Sequence, residues 1–256
     1  MTIPILCVAL LHGYVLLDQV SINGAGPYQL LLDTGSQSTA LKSQVAHRLR
    51  LDPAYRVTLE SATGSQVVPG TKVRQITVGP FKVEDIEVLW YDLQDTLDDH
   101  VDGILGQNFL SRFDFLLDFK HCELTLGPPS GLADRVMGER IPFRNDEGRM
   151  AVPLRFSSRG RPSDFVLDSA APALFLPPGL SEAFDTEGST RLSTNTGEET
   201  VRRGIVRTFF IGGSAFHNVP AVIQKTPLLP ATLFDSIYVN SGSNYVVINP
   251  RRKIID

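Results

Sequence analysis

Apolar residues along the chain come in short runs broken by glycine, proline, asparagine and aspartate, and few of them recur at helical spacing. Only Ser43 to Arg50 and Pro178 to Phe184, following Leu41 and Leu176, read as short helices. The remaining runs have the length and turn-residue borders of β-strands, so the pattern predicts an all-β protein. Ile3 to Leu11 reads as a first strand, being far too short to span a bilayer. The run LLLDTGSQSTAL, Leu30 to Leu41, is unusual because three leucines lead directly into Asp33-Thr34-Gly35-Ser36. Taken alone, this is a strand stopping at ordinary turn residues.

The chain repeats itself. PYQLLLDTGSQSTAL, from Pro27, lies without gaps over PSDFVLDSAAPALFL, from Pro162, and sets Asp33 on Asp168. Ile3-Pro4-Ile5 heads the first half as Ile141-Pro142-Phe143 heads the second, and NGAGP precedes one aspartate as SRGRP precedes the other. QITVGPFKVEDIEVLW has its counterpart in TFFIGGSAFHNVPAVIQ, and FDFLLDFKHCELTL in SNYVVINPRRKIID. Such agreement in constant order indicates two copies of one β-unit. The expected organisation is a first lobe over 1–127, a linker over 128–140 rich in Pro, Gly and Ser, and a second lobe over 141–256.

Composition narrows the function classes. The 256 residues are 42% hydrophobic and 20% charged, ordinary for a globular protein with a sizeable core. A formal charge of −4 leaves no footprint for nucleic acid or an anionic membrane. Two cysteines, Cys7 and Cys122, are too few for a disulfide framework, and whether they pair is open. Five histidines lie far apart without ligand spacing, so neither a metal nor another cofactor is expected. The acidic cluster Asp92, Asp95, Asp98 and Asp99 lacks the Gly and Glu spacing of a calcium loop and reads as a solvated loop. No basic residue precedes the first apolar run and no small-residue cleavage pattern follows it. The cytoplasm is therefore the default location, with export left open.

Duplication gives the aspartates a chemistry. A twofold axis between the halves can bring Asp33 and Asp168 face to face, and two buried carboxylates in contact hold one proton between them. One can then draw a proton from water while the other polarises a carbonyl, which suffices for peptide hydrolysis without a cofactor.

These residues resemble the retropepsin-like aspartic proteases, in particular bacterial single-chain forms built from two such units. Asp33-Thr34-Gly35-Ser36 is similar to the family's D-T-G-S/A motif, and VDGILGQNFL, Val101 to Leu110, to its later apolar-apolar-Gly motif. The resemblance implies two closed β-barrel lobes with a cleft between them and a catalytic pair Asp33 and Asp168. It implies that Thr34 braces the loops across the axis and that Ser36 orients the outer oxygen of Asp33. A flap over bound peptide is expected at Ser61 to Gly70, with Ser61, Ala62, Thr63, Gly64 and Ser65 nearest the substrate. The implied partner is a peptide or protein substrate, and the implied state a monomer, since one chain carries both half-sites.

The second half departs from the pattern. Its triplet is Asp168-Ser169-Ala170: serine keeps the bracing hydroxyl, whereas alanine replaces glycine. The place of the second apolar-apolar-Gly motif is expected in ATLFDSIYVNSG, Ala231 to Gly242, without a glycine at the right step. Three readings therefore stand: an active aspartic endopeptidase, a pseudoprotease that binds peptides in the retained cleft, and a structural double β-barrel. Asp114 and Asp118 read as structural, and Trp90 and Tyr91 as core or rim.

Overall fold

The computed structural model describes residues 1–4, 6–8, 14–60, 64–93, 99–194 and 197–252. Among these, strands dominate, and the sheets repeat one pattern twice. In the first lobe the strand order is Leu6–Val8, Tyr14–Ile22, Ala25–Leu32, Gly103–Leu105, Thr39–Lys42, Phe81–Tyr91, Ser65–Val78 and Tyr55–Glu60. The second follows the same order with Arg144–Asp146, Arg149–Arg155, Ser163–Asp168, Leu228–Pro230, Leu174–Leu176, Ser214–Ile223, Gly197–Ile211 and Phe184–Thr194. In each, the second strand also pairs with the seventh, which turns the sheet back on itself.

The leucines before Asp33 are explained by where that strand lies. Leu30 and Leu32 point into the main core, while Leu31 on the opposite face joins a separate cluster with Leu16, Ala40, Val68, Leu89 and Ile104. Alternation by two puts apolar surface on both faces, so no position can be polar. Each such leucine contributes about 1.5–3 kcal/mol by leaving water. Phe165 and Leu167 serve the same core in the second lobe.

A six-stranded sheet ties the lobes together, in the order Thr2–Pro4, Glu123–Gly127, Asp114–Asp118, Ser236–Asn240, Tyr245–Ile248, Ile141–Pro142. The lobes meet where Phe115 faces Val239 and Leu117 faces Ile237. Beside that seam the buried Asp114 carboxylate accepts from Tyr238 Oη at 2.7 Å, Asn240 Nδ2 at 3.2 Å and the Ser241 amide at 3.1 Å. Burial, and then the hydrogen bond to Asp114, hold the Tyr238 phenol far above its usual range, so it remains a donor. Asp118 accepts from the amide of His121, at 2.9 Å. Trp90 sits in the main core and Tyr91 in the Leu31 cluster.

Several sequence expectations shift. The helices are Ser43–Arg48 and a 3-10 turn Pro178–Ala183, and a further helix, Gln107–Leu110, has too little length for periodicity to show. The second-lobe hairpin matching Asp114–Gly127 is Ser236–Asn240 with Tyr245–Ile248, one strand earlier than SNYVVINPRRKIID suggested. Arg251–Arg252 instead pairs with Val136–Met137 in the segment between the lobes. Among the described residues no helix is long and apolar enough to cross a membrane.

Candidate active site

Each aspartate closes a strand buried by the parallel partner beside it. Leu31 and Leu32 face Ile104 and Leu105, and the Asp33 amide donates to Leu105 O at 3.1 Å. Val166, Leu167 and Asp168 face Leu228, Leu229 and Pro230. The same register therefore sets Leu228-Leu229-Pro230 on Ile104-Leu105-Gly106. The counterpart of the glycine motif lies just before Ala231–Gly242, and a proline stands where the glycine would be. Ala231–Gly242 begins with the 3-10 turn Ala231–Leu233 and supplies the strand Ser236–Asn240.

The two turns interlock. Thr34 Oγ1 donates to Leu167 O at 2.7 Å and accepts from the Ser169 amide at 2.9 Å. Reciprocally, Ser169 Oγ donates to Leu32 O at 2.7 Å and accepts from the Thr34 amide at 3.0 Å. Both hydroxyl residues are fully buried, so all four bonds are shielded from water. Each hydroxyl acts as donor and acceptor across the axis, and serine performs this as threonine does.

This interlock brings the carboxyl groups of Asp33 and Asp168 into a mutual hydrogen bond. Oδ1 of Asp33 accepts from the amides of Gly35 and Ser36 at 2.8 and 3.0 Å, and Oδ1 of Asp168 from those of Ala170 and Ala171 at 2.7 and 3.0 Å. The Ser36 hydroxyl donates to Ser38 O at 2.9 Å, so this residue reaches Asp33 through its amide rather than its side chain. Burial first, and then the charge of Asp168, push the Asp33 carboxyl well above the usual carboxylate range. Burial also raises Asp168, opposed by its two amides, by the bond to Asp33 and by the positive charge of Arg149. Both acids hold protons more tightly than free aspartate, Asp33 through burial and the charge of Asp168, and Asp168 through burial.

Glycine at position 35 is a matter of space. A Cβ there would stand 2.4 Å from Asp168 Oδ2, and the Gly35 φ lies outside the left-handed region. Ala170 likewise has no positive φ, and its methyl packs on the first-lobe cluster that contains Leu31 and Ile104. The turns thus depart from twofold symmetry at this step, and the alanine keeps its amide on Asp168.

Of the expected flap, Ser61, Ala62 and Thr63 lie outside the described residues. Gly64 and Ser65 are exposed at the end of a hairpin in which Glu60 faces Ser65 and Tyr55 faces Gly70. Its inner face carries Val57, Leu59 and Val68 onto the Leu31 cluster. Sequence reasoning missed a second hairpin of the same origin, Phe184–Thr194 with Gly197–Ile211, whose Leu192 and Val201 pack with Phe175 and Val222. The signal that could have found it is a pair of strand glycines. Gly70 has no room for a Cβ against Tyr55, and Gly204 none against Asp185 and Phe184.

A family model described as "Aspartyl protease" matches residues 19–109 and 152–238, one stretch in each lobe. The chain belongs to the aspartyl protease family. Among solved structures it is similar to an aspartic proteinase from Irpex lacteus, at 14% identity and a TM-score of 0.57, over 97% of this chain and 96% of that one. It is also similar to a retropepsin-like aspartic protease from Rickettsia conorii, at 22% identity and a TM-score of 0.39, over 49% of this chain and 89% of that one. No curated protein sequence matches the chain. The two family repeats coincide with the two sheets that carry Asp33 and Asp168.

Proposed function

We propose that this aspartyl protease relative is an active endopeptidase that hydrolyses peptide bonds with a water held between Asp33 and Asp168. The observation that carries the reading is the hydrogen-bonded pair of carboxyls, Asp168 buried and Asp33 half-buried, with raised proton affinity. One carboxylate takes a proton from water as the water oxygen bonds to the peptide carbon, and the other acid gives its proton to the carbonyl oxygen. The resulting gem-diol collapses by breaking the C–N bond. The amine takes a proton from the first carboxyl, and the second recovers one from a gem-diol hydroxyl, so the pair ends with its single proton. In this reading residues 1–127 and 141–256 are the two halves of one monomeric enzyme, 128–140 join them, and the hairpin in which Glu60 faces Ser65 covers the peptide.

The alternative of a peptide-binding relic draws on Ala170 and on Pro230, which stands where a glycine motif would end. The Ala170 methyl, however, rests on apolar first-lobe surface, and the turn keeps its bonds to Asp168. Activity is therefore the better supported reading.

The test is cleavage of an unstructured protein from acid to neutral pH, with and without a statine-type transition-state mimic. Asp33→Asn and Asp168→Asn are each expected to lose about a thousandfold or more, and the double variant no more than either. A second readout needs no activity. As pH rises above about 4, the unfolded chain releases a proton that folded Asp33 retains, so this carboxyl costs stability progressively toward neutral pH. Asp33→Asn removes that cost, and should raise Tm near pH 7 by roughly 2–4 °C per kcal/mol recovered, with no gain near pH 3. A cleaving wild type that keeps its rate in Asp168→Asn would end the two-carboxyl mechanism.

A further inference from the structure

The face of each lobe that carries an aspartate can be followed strand by strand. Side chains alternate along a strand, so Leu31 shares a face with Asp33 and Val166 with Asp168. Directly paired residues on neighbouring strands share a face as well. In the first lobe Leu31 pairs with Ile104, Ile104 with Ala40, Ala40 with Leu89, Leu89 with Gly70, and Gly70 with Tyr55. In the second lobe Val166 pairs with Leu228, Leu228 with Phe175, Phe175 with Val222, Val222 with Arg203, and Arg203 with Gly188. Packing agrees with the pairing: Tyr55 rests on the cluster of Leu31, Ile104, Ala40 and Leu89, and Leu228 on that of Phe175 and Val222.

The two rows differ most at their ends, where glycine and a large side chain change strands. Tyr55 fills the space over Gly70, and its hydroxyl is buried with no hydrogen-bond partner among the described residues. In the second lobe the glycine is Gly188, and Arg203 lies over it, with Nε 3.8 Å from where a Cβ would stand. One row thus closes on a neutral phenol and the other on a permanent cation.

Arg203 is exposed, yet its direction is fixed by Val201 two residues before it and Val222 opposite, both in the apolar cluster. Arg202, facing Ser189, points to the other side of the hairpin. Acids of the same hairpin are engaged elsewhere. Asp185 lies 3.4 Å from Arg207, Glu198 lies 3.6 Å from Arg191, and Glu199 accepts from Gln224 Nε2 at 3.0 Å. Among the described residues no acid forms an ion pair with Arg203.

We propose that Arg203 is a substrate-binding residue that takes the carboxylate of an aspartate or glutamate side chain of the peptide. This deepens the peptidase reading and rests on it for the peptide's place between the lobes. A guanidinium fork matches a carboxylate in two parallel hydrogen bonds, and a partner supplied by the peptide completes a charge the hairpin leaves open. Four strand spacings of about 4.8 Å separate the strand of Asp168 from that of Arg203, and the arginine reaches back over part of this span. An extended peptide rises about 3.3 Å per residue, which puts the acidic residue about three or four positions from the scissile bond.

The experiment uses the full chain and peptides with a single Glu, or Gln in its place, at the third or fourth position on either side of the scissile bond. A second set carries statine at that bond and is read by binding. At one of these positions the wild type should prefer Glu over Gln by about fivefold to tenfold in kcat/KM and in Kd, less at high salt. The preference should fade below about pH 4, where glutamate takes up a proton. Arg203→Met should abolish it, Arg203→Glu should turn it toward a Lys peptide, and Arg202→Met, on the outer face, should leave it intact. No preference in the wild type, or one that survives in both Arg203 variants, would overturn the assignment. A wild type that cleaves without regard to charge sinks this proposal alone. One that binds the statine peptides with the expected preference but cleaves nothing sinks the peptidase reading alone, and one that neither cleaves nor binds sinks both.

Discussion

The first aspartate turn is clamped from below by a helix, whereas the second rests on a proline. Gly106 lets the start of helix Gln107–Leu110 come against Ser36 and Ser38, because a Cβ there would stand 2.5 Å from Ser38 O. From that position the Gln107 amide donates to Ser36 O at 2.9 Å, its Nε2 to Thr34 O at 3.0 Å, and the Asn108 amide to Gln37 O at 3.0 Å. Asn108 Oδ1 also accepts from Thr39, through its amide at 3.0 Å and its hydroxyl at 2.8 Å. The register puts Pro230 and Ala231 in the places of Gly106 and Gln107. Proline has no N–H and alanine no side-chain amide, so the donors of Gly106 and Gln107 Nε2 have no counterpart. What the two turns share is the four-bond interlock of Thr34 and Ser169. The paired carboxyls thus depend on bonds across the axis, and the support beneath each turn is free to differ.

The sharpest way to break this comparison is to give the first turn the residue the second tolerates. Gly35→Ala would set a methyl against the buried Asp168 side chain, which leaves no room for it. Cleavage should fall by about a hundredfold or more, with kcat carrying the loss because the reacting pair is displaced. The chain should still fold, since Ala170 is carried at the matching position. Retained activity in Gly35→Ala would mean that the clamped turn is as yielding as the other.

Much of this was legible in the sequence, for identifiable reasons. Asp33 and Asp168 could be matched because the three residues before each, Leu30 to Leu32 and Phe165 to Leu167, are apolar and the turns after them hold ordinary turn chemistry, which preserves spacing. Beyond Leu105 and Leu229 the halves lose register. The path to the strand at Asp114 contains a helix, the path to Ser236 only a 3-10 turn, and Pro230 removed the glycine that would have marked the place. That is why the motif and the closing hairpin were expected one strand too late. The second long hairpin escaped because its outer part, Asp185 to Gly204, carries no apolar residues beyond Leu192 and Val201. The Asp114, Tyr238 and Asn240 lock depends on register between distant strands, which no local pattern contains.

A middle-sized effect is expected at the clamp. Gln107→Ala removes the Nε2 bond and leaves the buried Thr34 carbonyl without that donor. An unsatisfied buried group of this kind costs about 1–3 kcal/mol, measurable by urea unfolding. Activity should drop by less than in Gly35→Ala, about fivefold to twentyfold, because the interlock still aligns the pair. The effect would sharpen the comparison if Ala231→Gln left both stability and rate unchanged within error. A gain there would show that the second turn lacks support it could use.

The smallest effect is expected at Ala170 itself. Ala170→Gly restores the residue of the first turn, yet neither position has a left-handed φ, so the exchange relieves no backbone strain. It does remove a methyl that packs on the Leu31 cluster, and it loosens the unfolded chain. Together these predict a loss of about 1–1.5 kcal/mol in stability. The carboxyl geometry should be nearly unchanged, because the Ala170 amide bond to Asp168 Oδ1 at 2.7 Å does not involve the side chain. Rates should therefore stay within about threefold of wild type, judged by kcat/KM on the same unstructured substrate. A tenfold rise would identify the methyl as an obstruction in the second turn, and would make the departure from symmetry a defect rather than a contact.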